Sequence, residues 1–276
     1  MDNELRKKIE TSALAVRRKC LDIAYGRSPS ATHFGGALST VDILAVLYFE
    51  IMNYNVSNPT WENRDRFFIS KGHSVLGYYC TLAKAGFITD EELLSYGQNE
   101  TLLPGHPVIN KQKGIEFTNG SLGMGLAVGI GHAIAAKKKN LTSRSYVLMG
   151  DGECNEGSVW EAVMAAPHFK LDNLIAIIDR NSYQQTGAGP DIMNSGDLRQ
   201  KFSNFGWHAV DINGHDTSDI YMALNQYTGS KPKAIIAKTI KGKGFSFSEG
   251  NNAWHHAVLT EKLYNLGLIE CEEMKK

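Results

Sequence analysis

An acidic residue flanked by two glycines follows a strand-like segment in the middle of the chain. Asp151 lies between Gly150 and Gly152, after the apolar residues 145–149 and before an amphipathic helix predicted over residues 158–169. Glycine lets a ligand's phosphates approach the main chain, and the free N–H groups at the start of a helix bind such anions. A carboxylate at this point adds a hard oxygen ligand beside the phosphates. The segment therefore predicts a site for a diphosphate and a divalent cation.

An amide side chain closes the next predicted strand. Asn181 follows the apolar residues 174–178, and residues 153–180 separate it from Gly152. Open α/β sheets bind ligands at the carboxyl ends of neighbouring strands, so Asp151 and Asn181 are expected to lie close together. Carboxylate and amide oxygens, with phosphate oxygens and water, suit Mg²⁺ or Ca²⁺. A lone Gly-Asp-Gly is typical of an ordinary turn, but this pairing favours a metal site.

Four histidines lie on predicted loops, beside glycine, proline or tryptophan, rather than on the apolar face of a helix. They are His33, His73, His106 and His255. Any one of them alone would be typical of a surface or core histidine. Imidazoles change charge near neutral pH and can donate or accept, so a cluster could orient a polyhydroxylated substrate and move protons at its oxygens. Their spacing does not suit a metal site on a helix.

Strand-like and helix-like segments alternate along the chain, and these segments must position the polar residues. Apolar residues spaced by three and four predict a first helix over residues 4–25. Strands are predicted over residues 66–70, 145–149, 174–178, 208–212 and 234–239. Further helices are predicted over residues 39–49, 75–85, 90–96, 126–138, 158–169, 197–205 and 216–227. The alternation predicts an α/β fold, with a doubly wound, mostly parallel sheet, helices on both faces and a single domain over residues 1–276.

Two other segments are open to more than one interpretation. The glycines between Gly120 and Gly131 fit a ligand loop, but they also fit close packing of the helix that follows. The segment 241–252 is polar and contains Lys241-Gly242-Lys243-Gly244, so we expect it to be mobile.

The composition excludes several classes of protein. The chain has 276 residues, of which 42% are hydrophobic, and equal numbers of basic and acidic residues, 29 each. This balance gives no reason to expect a nucleic acid or an anionic membrane as partner. The four cysteines are scattered without a disulfide-like spacing, which indicates a reduced, cytoplasmic protein. We find no signal peptide in the charged first 19 residues and no apolar run of the ~20 residues that a membrane span needs.

The chain carries a set of short motifs that together are highly specific. They are Ser70-Lys71-Gly72-His73, Pro104-Gly105-His106-Pro107, Gly120-Ser121-Leu122-Gly123, Gly150-Asp151-Gly152 with Glu156-Gly157, Asp179-Arg180-Asn181, Phe205-Gly206-Trp207-His208 with Gly214-His215-Asp216, and Lys241-Gly242-Lys243-Gly244. With these motifs, residues 5–260 closely resemble the N-terminal, diphosphate-binding domain of transketolase, in the form in which the enzyme is split into two subunits. The resemblance implies the thiamine-diphosphate-binding fold and transfer of a two-carbon ketol unit from a ketose or its phosphate to an aldose or its phosphate.

The resemblance also implies roles for particular residues. Mg²⁺ (or Ca²⁺) would be held by Asp151, Asn181 and the backbone carbonyl of Tyr183. The channel to the thiazolium carbon of thiamine diphosphate would be lined by His33, His73, His106 and His255. Cofactor contacts would also come from His73, Gly120, Leu122, Gly150, Asp151, Gly152, Glu156, Asn181 and His255, with Glu156 joining an acidic network at the interface between chains.

The chain departs from the family's usual pattern near the first histidine. Thr32 replaces a glycine and Phe34 replaces a smaller residue, so we expect an altered channel wall beside His33. His256 adjoins His255, and the sequence leaves open which of the two is the site histidine.

The resemblance implies a partner chain. The acid that protonates the aminopyrimidine ring, and the residues that hold the sugar phosphate, lie on a pyrimidine-binding domain that this sequence lacks. We therefore expect the partner to be a C-terminal transketolase subunit, with two copies of each chain. Which sugars are used is left open, because ordinary pentose phosphates and unusual sugars both fit.

Two other functions remain open at this point. A subunit of a thiamine-diphosphate-dependent 2-oxoacid decarboxylase or dehydrogenase would keep the metal motif but would not need four channel histidines. A non-catalytic diphosphate-binding or regulatory subunit would have no use for groups that move protons. The histidines therefore favour transketolase.

Overall fold

Five strands form one parallel sheet, and the computed structural model describes residues 1–275 of the chain. The strands are β1 (Arg66–Ile69), β2 (Ser145–Gly150), β3 (Leu174–Arg180), β4 (His208–Asn213) and β5 (Lys233–Lys238). Their order across the sheet is β1-β2-β3-β5-β4, and every neighbouring pair is parallel. This confirms the predicted α/β architecture.

Eleven α-helices connect and cover these strands within the described residues. They are α1 (Asn3–Gly26), α2 (Phe34–Leu38), α3 (Val41–Val46), α4 (Val75–Ala85), α5 (Asp90–Leu94), α6 (Gly125–Lys138), α7 (Gly157–His168), α8 (Gly189–Met193), α9 (Leu198–Asn204), α10 (Thr217–Asn225) and α11 (Glu261–Glu273). Several begin where the sequence offers a capping side chain. Asp2 accepts a hydrogen bond from Leu5 N at 2.8 Å at the start of α1, and Asp216 caps α10 in the same way.

The sheet separates two hydrophobic cores. Alternate residues of β2 point to opposite faces, as the two-residue period of a strand requires. Tyr146 and Leu148 lie in the core formed with α1, α3, α4 and α10. Val147 and Met149 lie in the core formed with α6, α7 and α9. The burial of both faces explains why the central strands are continuously apolar, and it gives the doubly wound arrangement.

The helix predicted over residues 39–49 is found, with shifted ends, as α3 and a π-helical turn at Leu47–Ile51 that follows it directly. The short helix α2 before it was not predicted, and Ser39 and Thr40 separate the two helices. At the break, Ser39 Oγ donates to Gly36 O at 3.0 Å and lies 2.8 Å from Asp179 Oδ2, while Thr40 Oγ1 donates to Ala37 O at 2.9 Å. Hydroxyl groups that bond to nearby backbone carbonyls compete with regular helix geometry. The hydroxyl group of Ser39 also bonds to the buried carboxylate of Asp179.

The prediction that the segment 241–252 is mobile is corrected. Lys241, Phe245 and Ser248 are buried. The backbone N–H of Gly242 donates to Gly35 O at 2.9 Å, and Ser248 Oγ donates to Gly242 O at 2.7 Å. The segment is polar because its groups bond to other parts of the protein.

The first and last helices of the chain lie together on one face. Helices α1 and α11 pack against each other, and Tyr25 stacks on Tyr264 with ring centroids 4.2 Å apart. Among residues 1–275, none of the helices combines the length and the apolar composition that crossing a bilayer requires.

Candidate active site

A cavity of about 650 Å³ opens at the carboxyl edge of the sheet. It is bordered by the loops that follow β1, β2, β3 and β5, which parallel pairing brings to the same edge. All of the predicted metal, cofactor and histidine positions line this cavity: His33, His73, His106, Gly120, Leu122, Gly150, Asp151, Gly152, Glu156, Asn181, Tyr183 and His255. The structure therefore brings together the two groups of residues that were predicted separately, the diphosphate motif and the histidines. Thr32 and Phe34, which were expected to alter the channel wall, are buried and do not line it.

Asp151 lies at the end of β2 with its carboxylate fixed by the main chain. Oδ1 accepts a hydrogen bond from Gly152 N at 3.0 Å, and Oδ2 accepts one from Ser182 N at 2.9 Å. Burial, together with the nearby Asp179, raises the pKa of Asp151 to about 6. The ionised carboxylate is therefore destabilised by its surroundings, and a cation bound beside it would relieve this cost.

Asn181 has both ends of its amide fixed by hydrogen bonds. Its Nδ2 donates to Asp179 Oδ2 at 3.0 Å, and its Oδ1 accepts from Tyr183 N at 3.0 Å. The bond to a carboxylate fixes which end of the amide is oxygen. The orientation of the amide is thus fixed at the wall of the cavity.

A buried ion pair lies beneath this pair of side chains. Lys71 Nζ contacts the carboxylate of Asp179, and both side chains are almost entirely inaccessible to solvent. Thr239 Oγ1 donates to the other carboxylate oxygen. Although burial would raise the pKa of Asp179, the charge of Lys71 and these hydrogen bonds hold it below its usual value. The ion pair therefore supplies a permanently charged carboxylate that orients Asn181.

Glu153 ties two loops of the cavity together. One carboxylate oxygen accepts from Gly123 N at 2.8 Å and from the hydroxyl of Ser70, and the other accepts from Gly150 N at 3.0 Å. The side chain is buried, and burial raises its pKa. Glu153 thus sets the distance between the glycine loop before α6 and the Gly-Asp-Gly turn.

The histidines form one cluster around His33. Its ring centroid lies 5.7 Å from that of His73, 5.6 Å from His106 and 5.5 Å from His255. Burial, with the charge of neighbouring groups, lowers the pKa of His33 and of His255 to about 4 and that of His73 well below its usual value. These three imidazoles are therefore neutral at pH 7 and can each donate at one nitrogen and accept at the other.

The structure distinguishes the two adjacent histidines that the sequence left open. His255 lines the cavity and stacks on His73 with ring centroids 5.2 Å apart. His256 is exposed and packs on His33 from outside, at a centroid distance of 4.5 Å.

Gly120 leaves space in the wall of the cavity. A Cβ built at this position would have no protein atom within 4 Å. Packing within the described residues therefore does not require glycine at this position.

Comparison with known proteins identifies the family. The family described as "Transketolase, thiamine diphosphate binding domain" matches the sequence over residues 11–266. The chain belongs to the transketolase family. It is 43% identical to a subunit of apulose-4-phosphate transketolase from Phocaeicola vulgatus, over 93% of this chain and 91% of the relative. It is 41% identical to a subunit of 6-deoxy-6-sulfo-D-fructose transketolase from a Clostridium species, over 87% of this chain and 88% of the relative.

A solved transketolase structure shows the same architecture. The crystal structure of transketolase from Campylobacter jejuni superposes with a TM-score of 0.87 and 32% identity, over 99% of this chain. The chain spans only 43% of that protein. The predicted fold, family and enzyme class are thus confirmed: this is an N-terminal subunit of a thiamine-diphosphate-dependent transketolase.

Several residues that line this transketolase cavity were not singled out from the sequence. They are Gly36, Lys71, Glu153, Asn155, Gln184, Gln185, Ile192, Met193 and Lys241. Lys71 and Lys241 lie inside motifs that carried the resemblance, so the motifs themselves were the available signal. Residues 184–193 had no such signal, because they lie in a polar loop with a single short helix, α8.

Proposed function

We propose that the cavity binds the diphosphate end of thiamine diphosphate together with Mg²⁺ (or Ca²⁺). We also propose that the assembled enzyme transfers a two-carbon ketol unit from a ketose or its phosphate to an aldose or its phosphate. The observation that supports this most directly is the arrangement of the cavity, with oriented oxygen ligands at one end and neutral imidazoles at the other. When bound, the cofactor supplies a nucleophilic carbon and the electron sink for cleavage beside the ketose carbonyl.

The residues at the first end fit a hard divalent cation. Asp151 and Asn181 offer oriented side-chain oxygens, and the backbone carbonyl of Tyr183 is the third proposed ligand. Within residues 1–275 no cluster of three or more His, Cys, Asp or Glu side chains is arranged to hold a metal. A site of this kind therefore needs further oxygens from phosphate and water, as Mg²⁺ sites commonly do.

Two lysines lie at the wall of the cavity near the proposed diphosphate, and the charge of Lys71 is balanced by that of Asp179. Lys71 lines the cavity above its partner Asp179. Lys241 Nζ donates to Asn252 Oδ1 at 2.7 Å and lies 3.1 Å from His255 Nδ1. Burial and the charge of Lys71 lower the pKa of Lys241 to about 8, so at pH 7 the ammonium form prevails and would favour an anion beside it.

The imidazoles at the other end suit proton transfer at a sugar. The neutral imidazoles of His33, His73 and His255 can donate to a carbonyl oxygen and accept from a hydroxyl group without first losing a proton to solvent. With His106, four histidines line the cavity, which matches a substrate with several hydroxyl groups. We therefore assign these residues to the orientation of the sugar and to proton movement at its oxygens.

The mouth of the cavity favours a protein partner. Leu122, Met124, Ile192 and Met193 are large apolar side chains that are exposed around it, and Glu156 is exposed beside them. Exposed apolar patches of this kind mark interaction surfaces. Two relatives are named as single subunits of a transketolase. We therefore propose that residues 1–276 form one diphosphate-binding domain and that a C-terminal transketolase subunit with a pyrimidine-binding domain covers this face. We also propose that the enzyme contains two copies of each chain.

The names of two relatives indicate the general class of substrate. Those named above act on apulose 4-phosphate and 6-deoxy-6-sulfo-D-fructose, as their names state. We propose a ketose donor that carries an anionic group, drawn either from the pentose phosphates or from less common sugars. The four cysteines are free and buried, which supports a cytoplasmic location for this reaction.

The test is an assay of two-carbon transfer by the full chain, with thiamine diphosphate, Mg²⁺, a ketose phosphate and an aldose phosphate. The partner is sought as a product of the neighbouring reading frame and added in a second reaction. We expect activity only when both chains are present. Robust transfer by this chain alone would overturn the split-enzyme proposal, and absence of transfer with every donor when cofactor is bound by both chains would overturn the reaction.

A further inference from the structure

A histidine, a carboxylate and a guanidinium form a hydrogen-bonded network beneath the loop that carries Lys241. His215 Nδ1 lies 2.8 Å from Asp42 Oδ2, and Arg17 Nη2 donates to the same oxygen at 3.0 Å. Arg17 is only 6% exposed and Asp42 only 8%. A buried ion pair adds little net stability to the folded protein. The role of this network is therefore sought in the part of the chain that its hydrogen bonds hold in place.

Both ends of the network contact the backbone of the Lys241 loop. The N–H of Ile240 donates to His215 Nε2 at 2.8 Å. On the other side of Lys241, Arg17 Nε donates to the carbonyl oxygen of Lys243 at 3.1 Å. The network therefore fixes the main chain immediately before Lys241 and two residues after it.

The hydrogen bonds determine the state of each member. Because a backbone N–H donates to His215 Nε2, this nitrogen carries a lone pair, and Nδ1 must carry the proton that is donated to Asp42. Although burial alone would raise it, the charge of Arg17 and the bond to His215 hold the pKa of Asp42 below its usual value. Asp42 is thus a carboxylate that orients the ring of His215, as carboxylates orient the histidines of many sites.

The loop approaches Arg17 too closely for a side chain. Gly244 has φ +103°, and a Cβ on it would lie 2.3 Å from Arg17 Cδ. Gly242 has φ +77°, and a Cβ on it would lie 2.2 Å from Ser248 O. Gly244 therefore lets the loop close onto Arg17, and Gly242 lets the loop fold back onto Ser248.

We propose that His215, Asp42 and Arg17 form a positioning network that holds Lys241 at the wall of the cofactor cavity. This inference rests on the proposed cofactor site. None of the three residues lines the cavity, so their effect on the cofactor must pass through the loop. With the network intact, the ammonium group of Lys241 is held ready for the phosphates, and ordering it costs no further entropy when the ligand binds. Without it, the loop gains alternative conformations and the diphosphate binds more weakly.

The test is a double-mutant cycle on the full chain, with calorimetry of thiamine diphosphate in the presence of Mg²⁺ and, as a probe of the diphosphate end alone, inorganic pyrophosphate. We expect Lys241→Ala to raise Kd about tenfold or more, the size expected for a lost charged contact. We expect His215→Leu to raise Kd by a similar factor in the wild-type background and by less than about twofold in the Lys241→Ala background. His215→Gln, which restores one acceptor and one donor, should recover most of the affinity.

A matched control separates positioning from general loss of stability. His132 Nδ1 lies 2.7 Å from Ser145 Oγ at the amino end of β2, so His132→Leu also removes a half-buried histidine hydrogen bond. We expect His132→Leu to lower Tm without changing Kd. Equal increases of Kd from His215→Leu in both backgrounds, or the same increase from His132→Leu, would overturn the inference.

A reference variant separates this inference from the proposal on which it rests. Asp151→Ala reports on the metal site itself. If Asp151→Ala binds the cofactor as well as the wild type, the proposed function is wrong. If Asp151→Ala loses binding while His215→Leu retains wild-type affinity, only the positioning network is wrong.

Discussion

Replacement of Asp151 by asparagine is expected to stabilise the metal-free protein while abolishing its proposed function. The side chains have nearly the same shape, so the change removes a charge without opening a cavity. In the absence of a cation, that charge is unfavourable, because burial and Asp179 raise the pKa of Asp151 to about 6. A site that is destabilised without its ligand is what a cation-binding position should show.

The magnitude follows from the pKa. A value of about 6 instead of the usual 3.8 corresponds to about 3 kcal/mol of lost stability at pH 7. Asparagine can accept only one of the two backbone hydrogen bonds that Asp151 receives from Gly152 and Ser182. Loss of the other bond costs about 1 kcal/mol of stability, which reduces the gain. Solvent near the partly exposed carboxylate reduces the gain further. We expect a net stabilisation of about 1–2 kcal/mol, or a rise in Tm of about 2–6 °C.

The direction of the stability change at each pH follows from the protonation of Asp151. Between pH 4 and pH 6 the folded wild type binds more protons at Asp151 than the unfolded chain does, so its stability falls as the pH rises through this range. The asparagine variant lacks this loss. Near pH 4 only the lost hydrogen bond counts, so the variant should be less stable than the wild type by about 1 kcal/mol. Its stability relative to the wild type should rise through pH 4–6 and be greatest above about pH 6.

The assay is denaturation of both proteins in a chelator between pH 4.5 and pH 8, repeated with Mg²⁺ and thiamine diphosphate. At ~100 times Kd the ligand should stabilise the wild type by about 2.7 kcal/mol and leave the variant unchanged, so their order of stability reverses. Asp172→Asn serves as control, since Asp172 forms only an exposed pair with Lys137 and should change stability by less than about 1 kcal/mol. A variant that is less stable than the wild type at pH 8 in chelator, or an advantage that does not depend on pH, would refute the reasoning.

Three further outcomes are expected. Gly120→Ala should weaken cofactor binding, and it should not lower Tm because its Cβ meets no protein atom within 4 Å. In the control Gly131→Ala the Cβ is equally free but lies on the exposed face of α6, so Kd should not change. Equal Kd in both variants would contradict the cavity assignment. His73→Ala and His106→Ala should retain the cofactor in calorimetry but slow turnover of the assembled enzyme about 10²–10⁴-fold, whereas near-normal turnover would make them structural residues. Asn181→Ala should lose metal-dependent binding of the cofactor while its circular dichroism spectrum stays that of the wild type, and unchanged affinity would remove Asn181 from the metal site.

Local patterns in the sequence were sufficient for the sheet and for one end of the cavity. The central strands β2 and β3 are apolar over most of their length because both of their faces are buried, and Asp151 and Asn181 follow them directly. Parallel pairing then aligns Gly150 with Asp179, which brings the two strand ends together. This step needs only the sheet rule and no knowledge of the side-chain packing.

Contacts between distant parts of the chain could not be predicted in this way. Lys71 and Asp179 form their ion pair across 108 residues of sequence, and in the sequence Asp179 simply follows the apolar residues 174–178. The break before α3 depends on Ser39, which bonds to the same carboxylate. The segment 241–252 reads as a mobile loop because its partners, including Arg17 and Gly35, lie far away in sequence. In each case polarity was visible, but the buried partner that satisfies it was not.

The position of the metal tests the central claim most directly. Crystals of the full chain grown with thiamine diphosphate and Mn²⁺ in place of Mg²⁺ would locate the ion by its anomalous scattering. We predict one ion at about 2.0–2.3 Å from a carboxylate oxygen of Asp151, Asn181 Oδ1 and the carbonyl oxygen of Tyr183, with diphosphate oxygens completing its coordination. A well-ordered cofactor whose diphosphate lies away from this loop, or an ion bound to other residues, would contradict it.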